Sequence, residues 1–195
     1  MTNLALDAPA RLGKRERLVA AACELVHQQG IARTTLADIA HAADVPVGNV
    51  YYYFKTKDDI VAAVVQERVS QIESAIAALD RQHRSPKARL KGLVRLFAEQ
   101  ADSIADYGCP HGTLCLELAK RAVGSDPLAA RPMQIPLSWA EQQFRTMGRR
   151  DAYGLAVELL ASYQGSAVLA SALGQPELMT GQVRRLEKWI EAFHT

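Results

Sequence analysis

The sequence predicts an all-α fold of about nine helices, and three observations lead there. Apolar residues recur at spacings of three and four along almost the whole chain, the period of helices that bury one face. Two segments, Thr35-Leu36-Ala37-Asp38 and Thr56-Lys57-Asp58-Asp59, pair a hydroxyl cap with an acidic residue three positions on. In that pattern each group satisfies a backbone N–H the other leaves orphaned. Breaks stand where helices must stop, at Gly30, Pro86, Gly108, Gly124-Ser125-Asp126-Pro127 and Gly174-Gln175-Pro176.

The first helix is expected from Lys14 to Gln29, ending at Gly30, with Leu18, Ala22 and Leu25 on its inner face and Val19, Cys23 and Val26 beside them. A second covers Leu36 to Ala42 behind the Thr35 cap, and Ala43-Asp44-Val45 turns the chain into a third from Pro46 to Phe54. Pro46 has no N–H to lose and suits the first helical position, which puts Val50 and Phe54 on one inward face. That leaves Val47, Gly48, Asn49, Tyr51, Tyr52 and Tyr53 outside. Taken singly the tyrosines would suit a core stripe, but three in succession step around more than half the cylinder at 100° each. Their phenols can donate to phosphate oxygens, Gly48 permits close backbone approach, and Asn49 offers both donor and acceptor. Two short helices on a tight turn, the second presenting polar and aromatic groups, are a helix-turn-helix.

Gly30, Thr34-Thr35, Asp38-Ile39-Ala40 and the run Val45-Pro46-Val47-Gly48-Asn49-Val50-Tyr51-Tyr52-Tyr53-Phe54-Lys55-Thr56-Lys57-Asp58-Asp59-Ile60 together resemble the N-terminal DNA-binding domain of the TetR family of transcriptional regulators. The resemblance is dense over residues 14 to 64 and architectural beyond them. It implies a homodimer with a helix-turn-helix in each subunit and a C-terminal half for ligand binding and dimerisation. DNA contacts are expected from Thr35, Val47, Gly48, Asn49, Tyr51, Tyr52, Tyr53 and Lys57, although Val47 stands where many members carry a polar or basic residue. The expected division is a disordered basic arm over 1–13, the helix-turn-helix domain over 14–57, and the ligand-binding and dimerisation domain over 58–195.

Charge agrees with a nucleic-acid partner. The 195 residues carry a net charge of only +2. Residues 1–57 hold seven Lys/Arg against five Asp/Glu, so all of that excess lies in the helix-turn-helix segment. Arg11, Lys14, Arg15 and Arg17 gather at its start and are expected to reach toward phosphates.

Beyond Lys57 a fourth helix is expected to run unbroken toward Pro86 on the stripe Val61, Val65, Val69, Ile72, Ile76, Leu79, a lever or strut between two bodies. A fifth runs from Pro86 to Tyr107 with Leu90, Val94, Phe97 and Ile104 inward, and a sixth carries Leu114, Cys115 and Leu118. Pro127, Pro132 and Pro136 predict a loop or broken helix over 127–136, before a seventh helix with Leu137, Ala140, Phe144 and Met147. The eighth presents mainly small residues, Ala152, Ala156, Leu159, Tyr163, Ala167 and Ala170. The ninth has the stripe Met179, Val183, Leu186, Ile190. These last two helices are expected to meet a second copy as a four-helix bundle.

Phe97, Tyr107, Leu114, Trp139, Phe144 and Tyr163 supply apolar bodies with phenol and indole handles, the expected lining for a small hydrophobic effector, with Cys109 beside them. The function expected is a ligand-responsive regulator, a repressor released from a palindromic operator by a small molecule. An alternative is thiol-based sensing at Cys109, where a helix N-terminus and His111 would favour thiolate. A rival class is a helical small-molecule-binding protein or enzyme without DNA regulation. Histidine spacing suggests no metal site, no nucleophile elbow or phosphate loop suggests catalysis, and no cofactor motif is found. No apolar run reaches membrane-spanning length, and three cysteines without framework spacing fit a reducing cytoplasm.

Overall fold

The computed structural model describes residues 12–121 and 127–193, and among them every regular element is a helix. Most of the expected basic arm, Arg11 included, and the break at Gly124-Ser125-Asp126 lie outside the described residues. The helices are α1 (Lys14–Arg33), α2 (Leu36–Ala42), α3 (Val47–Tyr53), α4 (Lys57–Gln82), α5 (Pro86–Ala98), α6 (Ala101–Tyr107), α7 (Pro110–Arg121), α8 (Pro127–Thr146), α9 (Ala152–Leu173) and α10 (Glu177–Glu191).

Both capping boxes form. Thr35 accepts from the Asp38 N–H and Thr56 from the Asp59 N–H, while each aspartate returns a bond to its cap's backbone. These bonds hold both carboxyls below the usual 3.8. In α1 the stop at Gly30 is a break, with φ +80 and ψ 165, after which one more turn follows to Arg33. Pro46 is the residue before α3, at ψ 135, because the extended entry from Val45 ends only there.

Three clusters of buried side chains organise the chain. The first joins Leu18, Ile39, Val50, Phe54 and the N-terminal half of α4 with Leu114 of α7. The second packs Leu79, Leu90, Phe144, Leu159, Leu186 and Ile190 between α4, α5, α8, α9 and α10. The third sets Ala101, Ile104, Cys109, Tyr163, Ala167 and Met179 at the far end of α9. α4, 26 residues long, enters both the first and the second, so its two ends belong to different cores.

Three expectations change. The helix expected over Pro86 to Tyr107 divides at Glu99-Gln100 into α5 and α6, which turns Ala101 and Ile104 onto α9. The segment 127–136 is helical throughout, despite Pro132 and Pro136 inside α8. An interior proline costs about 3 kcal/mol in lost hydrogen bonding and clash, and packing of α8 against α4, α7 and α9 offsets it. The small-residue face of α9 is also spent within the protomer: Ala156, Leu159 and Ala170 are fully buried, as is Ile190 of α10. Those faces complete the chain's own core, so they are not the surface a second copy would meet. α9 is apolar on its other side as well, where Tyr153, Val157, Val168, Leu169 and Leu173 are exposed.

Candidate functional site

The turn between α2 and α3 is built from α2's own last carbonyls. Val45 N–H donates to Ala40 O at 3.0 Å and Asp44 N–H to His41 O at 3.1 Å, a Schellman closure with Asp44 at φ +50. Arg17 of α1 donates to Ala43 O at 3.0 Å and lies 3.7 Å from the Asp44 carboxylate. Arg17 therefore braces the turn, a role its expected reach toward phosphate as part of the basic cluster did not include. Arg15 lies over the Phe54 ring at 5.5 Å, and Lys14 is exposed.

On α3, Val50 is fully buried and Phe54, just past its end, nearly so, which aims the opposite side outward. Val47, Tyr51 and Tyr52 are exposed, Tyr52 at 77%. Among the described residues, nothing beyond α3's own backbone and the neighbouring residues lies within 4 Å of the place a side chain on Gly48 would begin, so the backbone there is open to an outside partner. Asn49 is half-buried. Tyr53 departs from the expected outward ring: it is half-buried, packs on the first core, and meets Tyr52 edge to face at 5.0 Å. The Thr35 hydroxyl donates to Asp38 at 2.7 Å, so its proton is engaged in the cap. Lys57 donates to Ala32 O at 3.1 Å, tying α4 to the end of α1.

A cavity of about 170 Å³ opens between α4, α5, α7, α8 and α9. Of the seven residues expected around an effector, it brings Phe97 and Tyr163 together, stacked at 3.6 Å between ring centres. Cys109 stands behind Tyr163, whose hydroxyl donates to Sγ at 3.4 Å. The others lie elsewhere. Leu114 is in the first core, Phe144 is packed against Trp189 and Phe193, and Trp139 donates to the Asp80 carboxylate at 3.3 Å. Tyr107 is exposed and meets His27 of α1 edge to face. Helical periodicity identifies all of these as inward or aromatic, but it does not say which helix they face. Of the cavity's polar lining, Arg68, Gln71 and Gln164 escape sequence reasoning, since isolated polar residues on long helices look like solvated faces, while His111 is expected there only as a neighbour of Cys109.

A family model described as bacterial regulatory proteins of the tetR family matches residues 18–64. The chain is 41% identical over 194 residues to the HTH-type transcriptional regulator TtgR of Pseudomonas putida, covering 91% of this chain and 88% of that protein. The chain belongs to the TetR family of transcriptional regulators. It is 28% identical over 167 residues to the HTH-type transcriptional repressor DhaR of a Mycobacterium species, covering 80% of this chain and 82% of that one. Its match to an uncharacterized HTH-type transcriptional regulator of Lactococcus lactis subsp. lactis, 29% identical, spans 54% of this chain and about half, 55%, of that protein's length. The fold is that of a TetR transcriptional regulator from Legionella pneumophila, with a TM-score of 0.81 at 18% identity, over 91% of this chain and 97% of the other.

In this TetR-family regulator the DNA-binding unit is wired to the rest of the chain by bonds between residues far apart in sequence. Ile31 N–H, at the break in α1, donates to the Glu117 carboxylate of α7 at 2.7 Å. The His27 ring donates to Gly108 O at 2.8 Å, and Arg68 of α4 donates to Cys23 O of α1 at 3.1 Å. Arg121 pairs with Asp58 at 2.8 Å. Thiol chemistry at Cys109 meets a different environment from the one expected. Its Sγ is buried and receives bonds from Gly112 N–H, Tyr163 and Gln164. His111 adds no positive charge, because burial, then Arg68 and His27, push its pKa down to about 4. Cys115 is the less buried of the two, its thiol pushed up to about 11 chiefly by burial. Among the described residues no helix is long and apolar enough to cross a membrane.

Proposed function

We propose that this DNA-binding transcriptional regulator is a repressor that acts in the cytoplasm as a homodimer, holds a palindromic operator through α3, and is released when a small molecule enters the cavity beneath α4. Residues 14–57 then do the reading, and 58–195 carry effector binding and dimerisation. The observation that carries it is the outward side of α3, where Tyr51, Tyr52 and Val47 are exposed above a fully buried Val50. Large exposed aromatics on a short helix have no folding role and suit contact with sugar, phosphate and base edges. The exposed second face of α9 supports a dimer through the last two helices, and the similarity to a repressor, DhaR, supports repression.

Fluorescence anisotropy with the chain's own upstream duplex against random duplex, across a salt series, tests the reading. Phosphate contacts make log affinity fall linearly with log salt. No preference for the upstream duplex over random DNA would leave the rival class, a helical binding protein without DNA regulation.

A further inference from the structure

The effector cavity has a composition that selects for charge. Its walls are apolar, with Ile72, Leu93, Phe97, Met133 and Leu160, and among its described lining residues Arg68 is the one with a formal charge. No carboxylate of the described residues comes within 4.0 Å of Arg68. Its guanidinium carries five donors, and the bonds it makes go to neutral acceptors, Gln71 Oε1 and Cys23 O, each at 3.1 Å. Beside it is His111, close enough for the Arg68 charge to disfavour its protonation. His111 Nδ1 is out of reach of water and has no hydrogen-bond partner. A guanidinium that lines an apolar cavity and bonds only neutral acceptors lacks the counter-charge such a group normally finds.

We propose that the cavity takes an amphipathic organic acid, a flat apolar body bearing one carboxylate, with the carboxylate held by the Arg68 guanidinium. The inference rests on the reading of the chain as an effector-responsive regulator and names the class of effector. Arg68 matches a carboxylate in plane and charge. The Phe97–Tyr163 stack offers a flat apolar wall. A cation is excluded by Arg68, and a neutral body of the same shape leaves Arg68 without a counter-charge. The site also explains why an acid would be felt on DNA. Arg68 holds Cys23 O of α1, so a carboxylate that draws the guanidinium toward the cavity weakens the bond between α4 and the helix that supports α2 and α3.

Calorimetry on the full chain with 2-naphthoate and with 2-naphthamide, which share a shape and differ in charge, tests the site. The carboxylate is expected to bind at least about tenfold more tightly, in keeping with charge-assisted bonds, with Arg68→Met reducing the ratio to near one and Arg68→Lys restoring part of it. Amide binding as tight as that of the acid, binding of neither probe, or a preference that survives in a folded Arg68→Met chain would overturn the proposal. The comparison on the unaltered chain stands even if a variant fails to fold. Operator anisotropy is run on the same preparation. Absence of DNA binding faults the regulator reading, whereas normal DNA binding without a carboxylate preference overturns the acid site alone.

Discussion

Acidification from neutral pH to pH ~4 is a perturbation whose size can be worked from one side chain. His111 is half-buried at the cavity, and its pKa falls from the ordinary 6.5 to about 4, first by desolvation and then by the charge of Arg68 and by His27. The unfolded chain takes a proton on this ring below 6.5, and the folded chain does so only below about 4. Folding therefore excludes a proton in that window, and stability must fall as pH drops through it, levelling off near the lower value. At roughly 1.4 kcal/mol per pH unit for one proton, the loss comes to about 3 kcal/mol, a sizeable part of the ~5–15 kcal/mol that holds a domain folded. Urea unfolding followed by circular dichroism, every half unit of pH for the natural chain and for His111→Gln, measures it as the difference between the two curves. Groups common to both chains cancel. The capping aspartates, held below 3.8, lose their contribution only beneath the window. A difference that stays constant between pH 6.5 and 4, or one that grows in favour of the natural chain as pH falls, would refute the burial argument.

Glu117→Ala removes the acceptor of the Ile31 N–H and is expected to cost about 1–3 kcal/mol, with Glu117→Gln recovering most of it; thermal unfolding and hydrogen exchange at Ile31 check both. Tyr52→Ala should weaken operator binding by about tenfold or more with no loss of stability, since the side chain is 77% exposed; unchanged anisotropy would remove Tyr52 from the interface. Lys57→Ala should lower affinity for all duplexes and reduce the salt slope by about one, read from the same titrations. Val168→Asp, on the exposed side of α9, should yield a folded monomer in analytical ultracentrifugation. Ala167→Glu, one residue earlier but only 1% exposed, should instead unfold the protomer.

That last pair of neighbours marks the border between the two kinds of information. Features whose partners lie within four residues were legible in the sequence, because local chemistry completes them. Thr35 with Asp38 and Thr56 with Asp59 cap α2 and α4, and Val50 buries one side of α3 while Tyr51 and Tyr52 take the other. Helix existence was legible for the same reason outside 127–136 and the division of α5 from α6, and the resemblance over residues 14–64 added what such a turn and helix are for. Tertiary structure decided everything that depends on which helix faces which. α9 is apolar all round, so periodicity alone could not choose between its two sides, and packing against α8 and α10 chose the small-residue side for the interior. Pro132 and Pro136 read locally as breakers, yet neighbouring helices hold that segment helical. The cavity's polar end is assembled from positions too far apart for any window to connect. Arg68 reaches Cys23, 45 positions away, and Ile31 meets Glu117 across 86, because each pair spans helices whose mutual orientation is set by the burial of other residues.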